Sequence, residues 1–309
     1  MGEAESLVFG PVPSRRLGRS LGIDLVPFKT CSYDCVYCQL GRTTVKTTER
    51  KEWVPLDAVL EQVKPKLASQ PDYITLSGSG EPALFSRIGE LIASIKNMTD
   101  IPVAVLTNGS LLWQKALRDD LQRADLVIPS LDAGNARMFQ YVNRPAPGLS
   151  FDRMVEGLVA FRQEYGGQYW LEVFLLGGVT GVRAEAEAIG RVVRRIGPDR
   201  VQLNTVSRPP AEEFAFPVRP EEMARLAPLI AENAEVVADY QHVHEQPAFA
   251  ARGEDVMALL RRRPCTIEDI ASGLGMHRNE VVKYVEQFLA ESRLDSEKRA
   301  HRKYYLVRE

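Results

Sequence analysis

The chain has 309 residues, a formal net charge of −2, 45% hydrophobic and 26% charged residues. This is the composition of a folded water-soluble chain, long enough for one large domain or a large and a small one. A near-neutral balance gives no chain-wide footprint for nucleic acid, and no signal peptide, membrane span or disulfide framework is expected, so a cytoplasmic location fits.

The first informative segment runs from Phe9 to Asp24 and sets Arg15, Arg16 and Arg19 among prolines and glycines. Guanidinium groups this close suit bidentate binding of phosphate or carboxylate, which makes the three substrate candidates. A solvated basic loop anchoring the first strand is the alternative.

The segment leads into Cys31-Ser-Tyr-Asp-Cys35-Val-Tyr-Cys38. Thiolates are soft ligands that select iron–sulfur clusters or zinc. A structural zinc site is closed by four ligands. The next candidates, His242, His244 and Cys265, lie more than 200 residues on. Three ligands on one short loop therefore point to a cluster with one coordination site left open.

From residue 21 to about 240, short β-branched runs alternate with helical patterns. Strands are expected at 21–26, 73–76, 103–106, 126–129, 170–176 and 201–204, with an edge strand at 235–240. Helices are expected at 56–67, 88–96, 111–122, 151–164 and 183–196. That alternation predicts parallel βαβ units wound right-handed into a curved sheet or barrel, with chemistry at the carboxyl ends of the strands.

The strand ends carry polar residues. The second ends in Ser77-Gly78-Ser79-Gly80-Glu81, where glycines let backbone approach a ligand and a carboxylate can accept from an ammonium. The third ends at Thr107 and Asn108, the fourth at Ser130 and Asp132, which suit either ligand hydroxyls or helix capping. The sixth carries Gln202 and Asn204, then Arg208. Arg144 follows the fourth strand in a proline-rich turn and is a further substrate candidate.

Residues 241–251 read as a linker, and from 252 the pattern changes. A helix at 254–263 is stopped by Pro264, Thr266 caps a second at 267–272, and a third is expected at 277–291. Two strands at 293–296 and 303–307 flank a basic tip of Lys298, Arg299, Arg302 and Lys303. Cys265 is expected to be a small buried hydrophobe.

The cysteine spacing closely resembles the hallmark of the radical S-adenosylmethionine (SAM) superfamily. The resemblance implies that Cys31, Cys35 and Cys38 hold a [4Fe–4S] cluster, with SAM on the fourth iron. It places Tyr37 near the adenine and Gly78, Ser79, Gly80 and Glu81 on the methionine amino group, although Ser-Gly-Ser-Gly-Glu departs from the family's Gly-Gly-Glu. Thr107, Asn108, Ser130 and Asp132 match further SAM-holding positions, and Gln202 and Asn204 would face adenine or substrate. The implied fold is α/β: a partial (β/α)6 barrel over 1–240, then a small α+β domain over 252–309 that resembles the winged helix-turn-helix family. The implied chemistry is reductive cleavage of SAM to a 5′-deoxyadenosyl radical, with an electron donor such as flavodoxin or ferredoxin.

The branch most resembled is near the wyosine-base synthases, but this chain lacks cysteines for their second cluster. RNA modification is the first expectation, with the C-terminal module recruiting substrate and taking no part in radical generation. A protein-directed enzyme such as a glycyl-radical activase, or a redox-sensing DNA-binding regulator, are the alternatives.

Overall fold

The structure, a computed structural model, describes residues 7–14, 16–207, 210–237, 253–274, 276, 281, 284, 285, 288, 289, 291–299 and 302–308. Arg15, Arg208, the 241–251 segment with His242 and His244, and most of the helix expected at 277–291 lie outside the described residues.

The chain opens with β1 (Val8–Ser14) and β2 (Gly18–Ile23), then β3 (Thr30–Cys31) and β4 (Val45–Lys46), which pair as a small separate sheet. Helix and strand then alternate: α1 (Leu56–Lys66), β5 (Tyr73–Leu76), α2 (Ile88–Met98), β6 (Val103–Thr107), α3 (Lys115–Leu121) and β7 (Leu126–Pro129). Two helices follow, α4 (Ala136–Val142) and α5 (Phe151–Glu164), then β8 (Gln168–Leu175), α6 (Arg183–Ile196), β9 (Arg200–Thr205), α7 (Pro220–Ile230) and β10 (Ala234–Val236).

One sheet has the order β1-β2-β5-β6-β7-β8-β9-β10. Its strands from β2 onward are parallel, and β1 alone runs antiparallel, against β2. The fold is mixed α/β with the expected parallel sheet. Strand β1 was not expected, because Pro11 and Pro13 argue for a loop. Proline is tolerated on an edge strand, where its missing N–H is not needed, and β1 is such an edge. The edge strand expected at 235–240 is described only over Ala234–Val236.

The helices form for local reasons. Ser150 caps α5 by accepting from the Arg153 amide, and Asn135 caps α4 through the Met138 amide. Helix α6 buries Ala186, Ile189, Gly190, Val193 and Ile196 along one stripe. A Cβ on Gly190 would stand 2.2 Å from the Leu229 carbonyl, so glycine sets the close approach of α6 and α7.

Alternation along the strands separates two surfaces. Leu171, Val173 and Leu175 of β8 join the main core under the helices, while Leu17, Ala104, Leu126, Ile128 and Trp170 form a small apolar plug. Above the plug, the same face carries Ser130, Glu172, Phe174 and Asn204, and there the cavity opens.

The C-terminal part comprises α8 (Gly253–Arg262), α9 (Ile267–Leu274) and an antiparallel hairpin of β11 (Leu294–Arg299) and β12 (Arg302–Val307). Val256, Leu260, Ile270, Val281, Val285, Phe288 and Tyr305 are buried together, with Cys265 fully buried among them as expected. This unit does not stand apart from the rest. Val12 of β1 packs against its core, and Leu259, Arg262 and Arg263 line the same cavity as the three clustered cysteines.

Candidate functional site

The carboxyl ends of β2 and β5 to β9 lie on one edge of the sheet, and the loops that follow them enclose a cavity of about 450 Å³. Cys31, Cys35, Cys38, Tyr37, Gly78, Ser79, Gly80, Glu81, Thr107, Asn108, Ser130 and Asn204 all line it. The structure thus brings together most of the side chains expected at the site.

The cysteine loop is stitched to its neighbours through backbone. The Lys29 amide donates to the Ser79 carbonyl at 2.7 Å, and the Glu81 amide to the Thr30 carbonyl at 3.1 Å. Val36, fully buried with Val142, Leu176 and Ala215, donates to the Val142 carbonyl at 2.9 Å. The loop is therefore fixed on both sides, by the glycine-rich turn and by the end of α4.

All three thiols are free and half-buried. Burial pushes Cys31 up to about 12, with the Glu81 charge adding to it, and raises Cys35 and Cys38 as well. Side-chain amides face two sulfurs: Asn108 Nδ2 lies 3.6 Å from Cys31 Sγ, and Asn143 Nδ2 lies 3.4 Å from Cys35 Sγ. Such donors suit anionic sulfur, and buried thiols become thiolates when metal charge compensates their burial. Among the described residues, no three His, Cys, Asp or Glu side chains converge on one point as ligands of a single ion. Three soft thiols on one loop, two of them facing amide N–H donors, fit an iron–sulfur cluster.

Glu81 is buried, and its carboxylate organises two strand ends. One oxygen accepts from the Ala83 amide at 2.9 Å and from Thr107 Oγ1 at 2.6 Å; the other accepts from the Asn108 amide at 2.7 Å. Two oxygens offer about four acceptor positions, so these three bonds leave one unused. Desolvation pushes Glu81 up to about 7 despite these bonds. Gly78 has φ 118°, and a Cβ there would meet Asp24 Oδ1 at 1.7 Å, so only glycine fits this turn.

Asp132 sits behind the cavity wall. It accepts from the Tyr37 hydroxyl, from Asn143 Nδ2 at 2.7 Å and from the Phe174 amide at 3.2 Å, and burial pushes it up to about 6. Its bond holds the Tyr37 ring stacked on Phe174, with centroids 4.0 Å apart and planes 11° from parallel. Both residues line the cavity.

The arginines part company. Arg16 reaches the cavity and pairs with Glu172. Arg19 sits at the amino end of β2, away from the site, and donates to the Ser69 and Gln70 carbonyls; it braces a turn and does not line the cavity. Arg144 pairs with Glu212 at 2.6 Å, which ties the 210–218 segment across the cysteine loop, and it too does not line the cavity. Gln202 is buried outside the lining.

Phe174 and the cavity-lining residues of α8 were not anticipated from sequence, nor were four further polar participants. Asn143 and Ser32 join the hydrogen bonds around the sulfurs, Ser32 Oγ accepting from Asn108 Nδ2 at 2.8 Å. Glu172 accepts from Asn204 Nδ2 at 3.1 Å as well as pairing with Arg16. Asp24 accepts from the Ser79 amide at 2.7 Å. None carries a local sequence signal, because each acts on a partner at least 32 residues away.

Residues 25–187 match the model of the radical SAM superfamily, more than half of the chain, and the match includes the cysteine loop and the glycine-rich turn. The chain belongs to the radical SAM superfamily. Membership implies an enzyme that uses a [4Fe–4S] cluster and SAM. The chain is 36% identical over 225 residues to a UPF0026 protein of Methanocaldococcus jannaschii, covering 72% of this chain and 70% of that one. It is 40% identical over 295 residues to a Brachyspira hyodysenteriae protein named GTPase Obg, covering 94% of this chain but 43% of that protein. The chain thus spans under half the length of that relative. The radical SAM fold is also seen in a methyltransferase from Sphaerobacter thermophilus, with a TM-score of 0.52 at 20% identity over 70% of this chain and 66% of that one. Among the described residues, no helix is long and apolar enough to cross a membrane.

Proposed function

We propose that this radical SAM chain cleaves SAM reductively and uses the product to modify RNA or a nucleotide-related substrate. The observation that carries the first half is the shared cavity: three free thiols, the Asn108 amide beside Cys31, and a carboxylate-braced glycine turn all line it, with the Asn143 amide on Cys35 outside the lining. Bound together and given one electron, the cluster and SAM supply methionine and a 5′-deoxyadenosyl radical able to take hydrogen from an unreactive carbon.

The chain's own residues do the rest. Cys31, Cys35 and Cys38 hold the cluster and leave one iron open. The Asn108 and Asn143 amides stabilise charge on the sulfurs. The open acceptor position of Glu81 and the backbone of Gly78, Ser79 and Gly80 take the amino acid part of SAM. Tyr37 and Phe174 give the adenine a flat edge, while Ser130 and Asn204 supply hydroxyl and amide groups for its sugar or base. The plug around Trp170, Ile128 and Leu17 keeps water out of the floor, as radical chemistry requires. A small electron carrier such as flavodoxin or ferredoxin is the proposed reductant.

The nucleic-acid half rests on the C-terminal unit, which we take to be the winged helix domain. In its hairpin Lys298 stands directly opposite Lys303, and Arg299 opposite Arg302, all four exposed. Arg299 pairs with Glu297 at 3.0 Å, but the facing like charges of Lys298 and Lys303 repel, and a polyanion relieves that repulsion. Incubating the reconstituted, reduced full-length chain and SAM with cell RNA, and separately with cell protein, followed by mass analysis, tests this. A mass change confined to RNA supports it; a change confined to protein overturns it in favour of a protein-directed enzyme.

A further inference from the structure

A continuous polar path joins the C-terminal unit to the turn that cradles SAM. Arg262, in the last turn of α8, reaches across to Asp24 at the end of β2, with Nη2 to Oδ2 2.5 Å. The two residues are 238 positions apart in sequence. Both are sheltered, with side-chain exposures of 12% and 9%. Asp24's other oxygen accepts from the Ser79 amide at 2.7 Å, and the same oxygen fills the space in which Gly78 lacks a Cβ.

Other contacts fix the guanidinium. Its Nη1 donates to the Ala258 carbonyl at 3.0 Å, and its Cζ lies 3.6 Å from the centroid of the Phe9 ring. Phe9 in turn fills the place of a side chain at Gly22: a Cβ there would stand 2.1 Å from the ring. The chain has thus used two glycines, an edge-strand aromatic and a helix-terminal arginine to hold one carboxylate in one place. A sheltered carboxylate keeps its charge only beside a cation, and burial already pushes Asp24 up against the opposing pull of Arg262.

We infer that Arg262 is a positioning residue for SAM: acting through Asp24, it fixes the Gly78-Ser79-Gly80 turn, so the C-terminal unit completes the SAM site. The inference rests on the proposed reading of that turn as the SAM cradle. It differs from a domain that only recruits substrate, because here SAM affinity depends on a residue of α8 even when no substrate is present. It also differs from simple docking. Val12 and the C-terminal core hold the two parts together without touching the turn, so a docking role would show in thermal stability and not in SAM binding.

The test uses the full-length chain, reconstituted anaerobically, with SAM affinity read by equilibrium dialysis, the cluster by iron content, and SAM contact by the change it causes in the reduced cluster's paramagnetic resonance spectrum. Arg262→Gln is expected to weaken SAM about tenfold with iron content unchanged, and Arg262→Lys, which keeps the cation but not the fork or the stack on Phe9, to restore part of that loss. Asp24→Asn sets its NH2 against either the guanidinium or the Ser79 amide and is expected to cost about as much, with the double variant no worse than about tenfold, because both changes break one path. Losses that simply multiply in the double variant, or Arg262→Gln and Arg262→Lys binding SAM as the parent does while Glu81→Gln binds it poorly, overturn the inference alone. Full SAM binding by Glu81→Gln as well overturns the SAM cradle itself.

Discussion

Replacing Glu81 with Gln separates the structural role of this carboxylate from its role toward SAM. The change keeps the shape and removes one charge. The parent side chain accepts three hydrogen bonds, two of them from the backbone amides of Ala83 and Asn108 on opposite oxygens. Gln has one oxygen, so whichever way it turns, its NH2 faces one of those amides and leaves a buried donor unpaired. That costs about 1–3 kcal/mol, to be read by denaturant unfolding. Losing the charge-assisted bond to the SAM ammonium costs a further ~1.5–3 kcal/mol in binding, or about ten- to hundredfold in affinity. The two effects separate by pH. Glu81 is pushed up to about 7, and only its ionised form gives an ammonium an opposite charge. Parental SAM affinity is therefore expected to fall as pH drops below about 7, whereas the Gln variant gives a flat profile over that range. On the stability side the sign is opposite. A carboxyl whose folded value is raised takes up a proton on folding, so its contribution falls as pH rises from the ordinary carboxylate range through about 7, and the variant lacks that slope. Equilibrium dialysis of SAM across pH decides the matter: parental affinity and pH dependence in the variant would refute this assignment.

Anaerobic reconstitution should give about four irons per chain, lost on changing Cys31, Cys35 or Cys38 to Ala and retained in Cys265→Ala, whose thiol lies in the C-terminal core; iron analysis reads it directly. Asn143→Ala removes an N–H donor from the Cys35 sulfur and should make the cluster harder to reduce, seen as a more negative midpoint in a redox titration followed by paramagnetic resonance. If RNA is the substrate, changing Lys298, Arg302 and Lys303 to Gln should weaken RNA binding across sequences and flatten its salt dependence by about 0.7–0.9 for each phosphate no longer neutralised; an unaltered slope would point to a protein partner.

The parts of the site built from contiguous residues were legible in the sequence. Cys31, Cys35 and Cys38 share one loop, the glycines and Glu81 share one turn, and the βαβ rhythm places both at the same sheet edge. Residues acting across the fold were not legible. Asn143 serves Cys35 from 108 residues away, in a stretch whose prolines and Arg144 draw attention first. Glu172 sits within an apolar strand and shows its purpose only beside Arg16 and Asn204. Strand β1 was hidden by its prolines, and with it went the reason for the C-terminal unit's position: Phe9 and Val12 of that strand are what α8 and its neighbours pack on. Arg19 shows the converse error, since closeness in sequence to the cysteine loop placed it near the site, while the strand between them carries it to the opposite end of the sheet.

Reductive cleavage is read by reducing the reconstituted full-length chain with SAM in the absence of oxygen and measuring the products by chromatography. 5′-Deoxyadenosine and methionine are expected in equal amounts, formed slowly without substrate and absent from the Cys35→Ala variant. Intact SAM after reduction, in a chain shown to carry its four irons, would contradict the proposed cleavage.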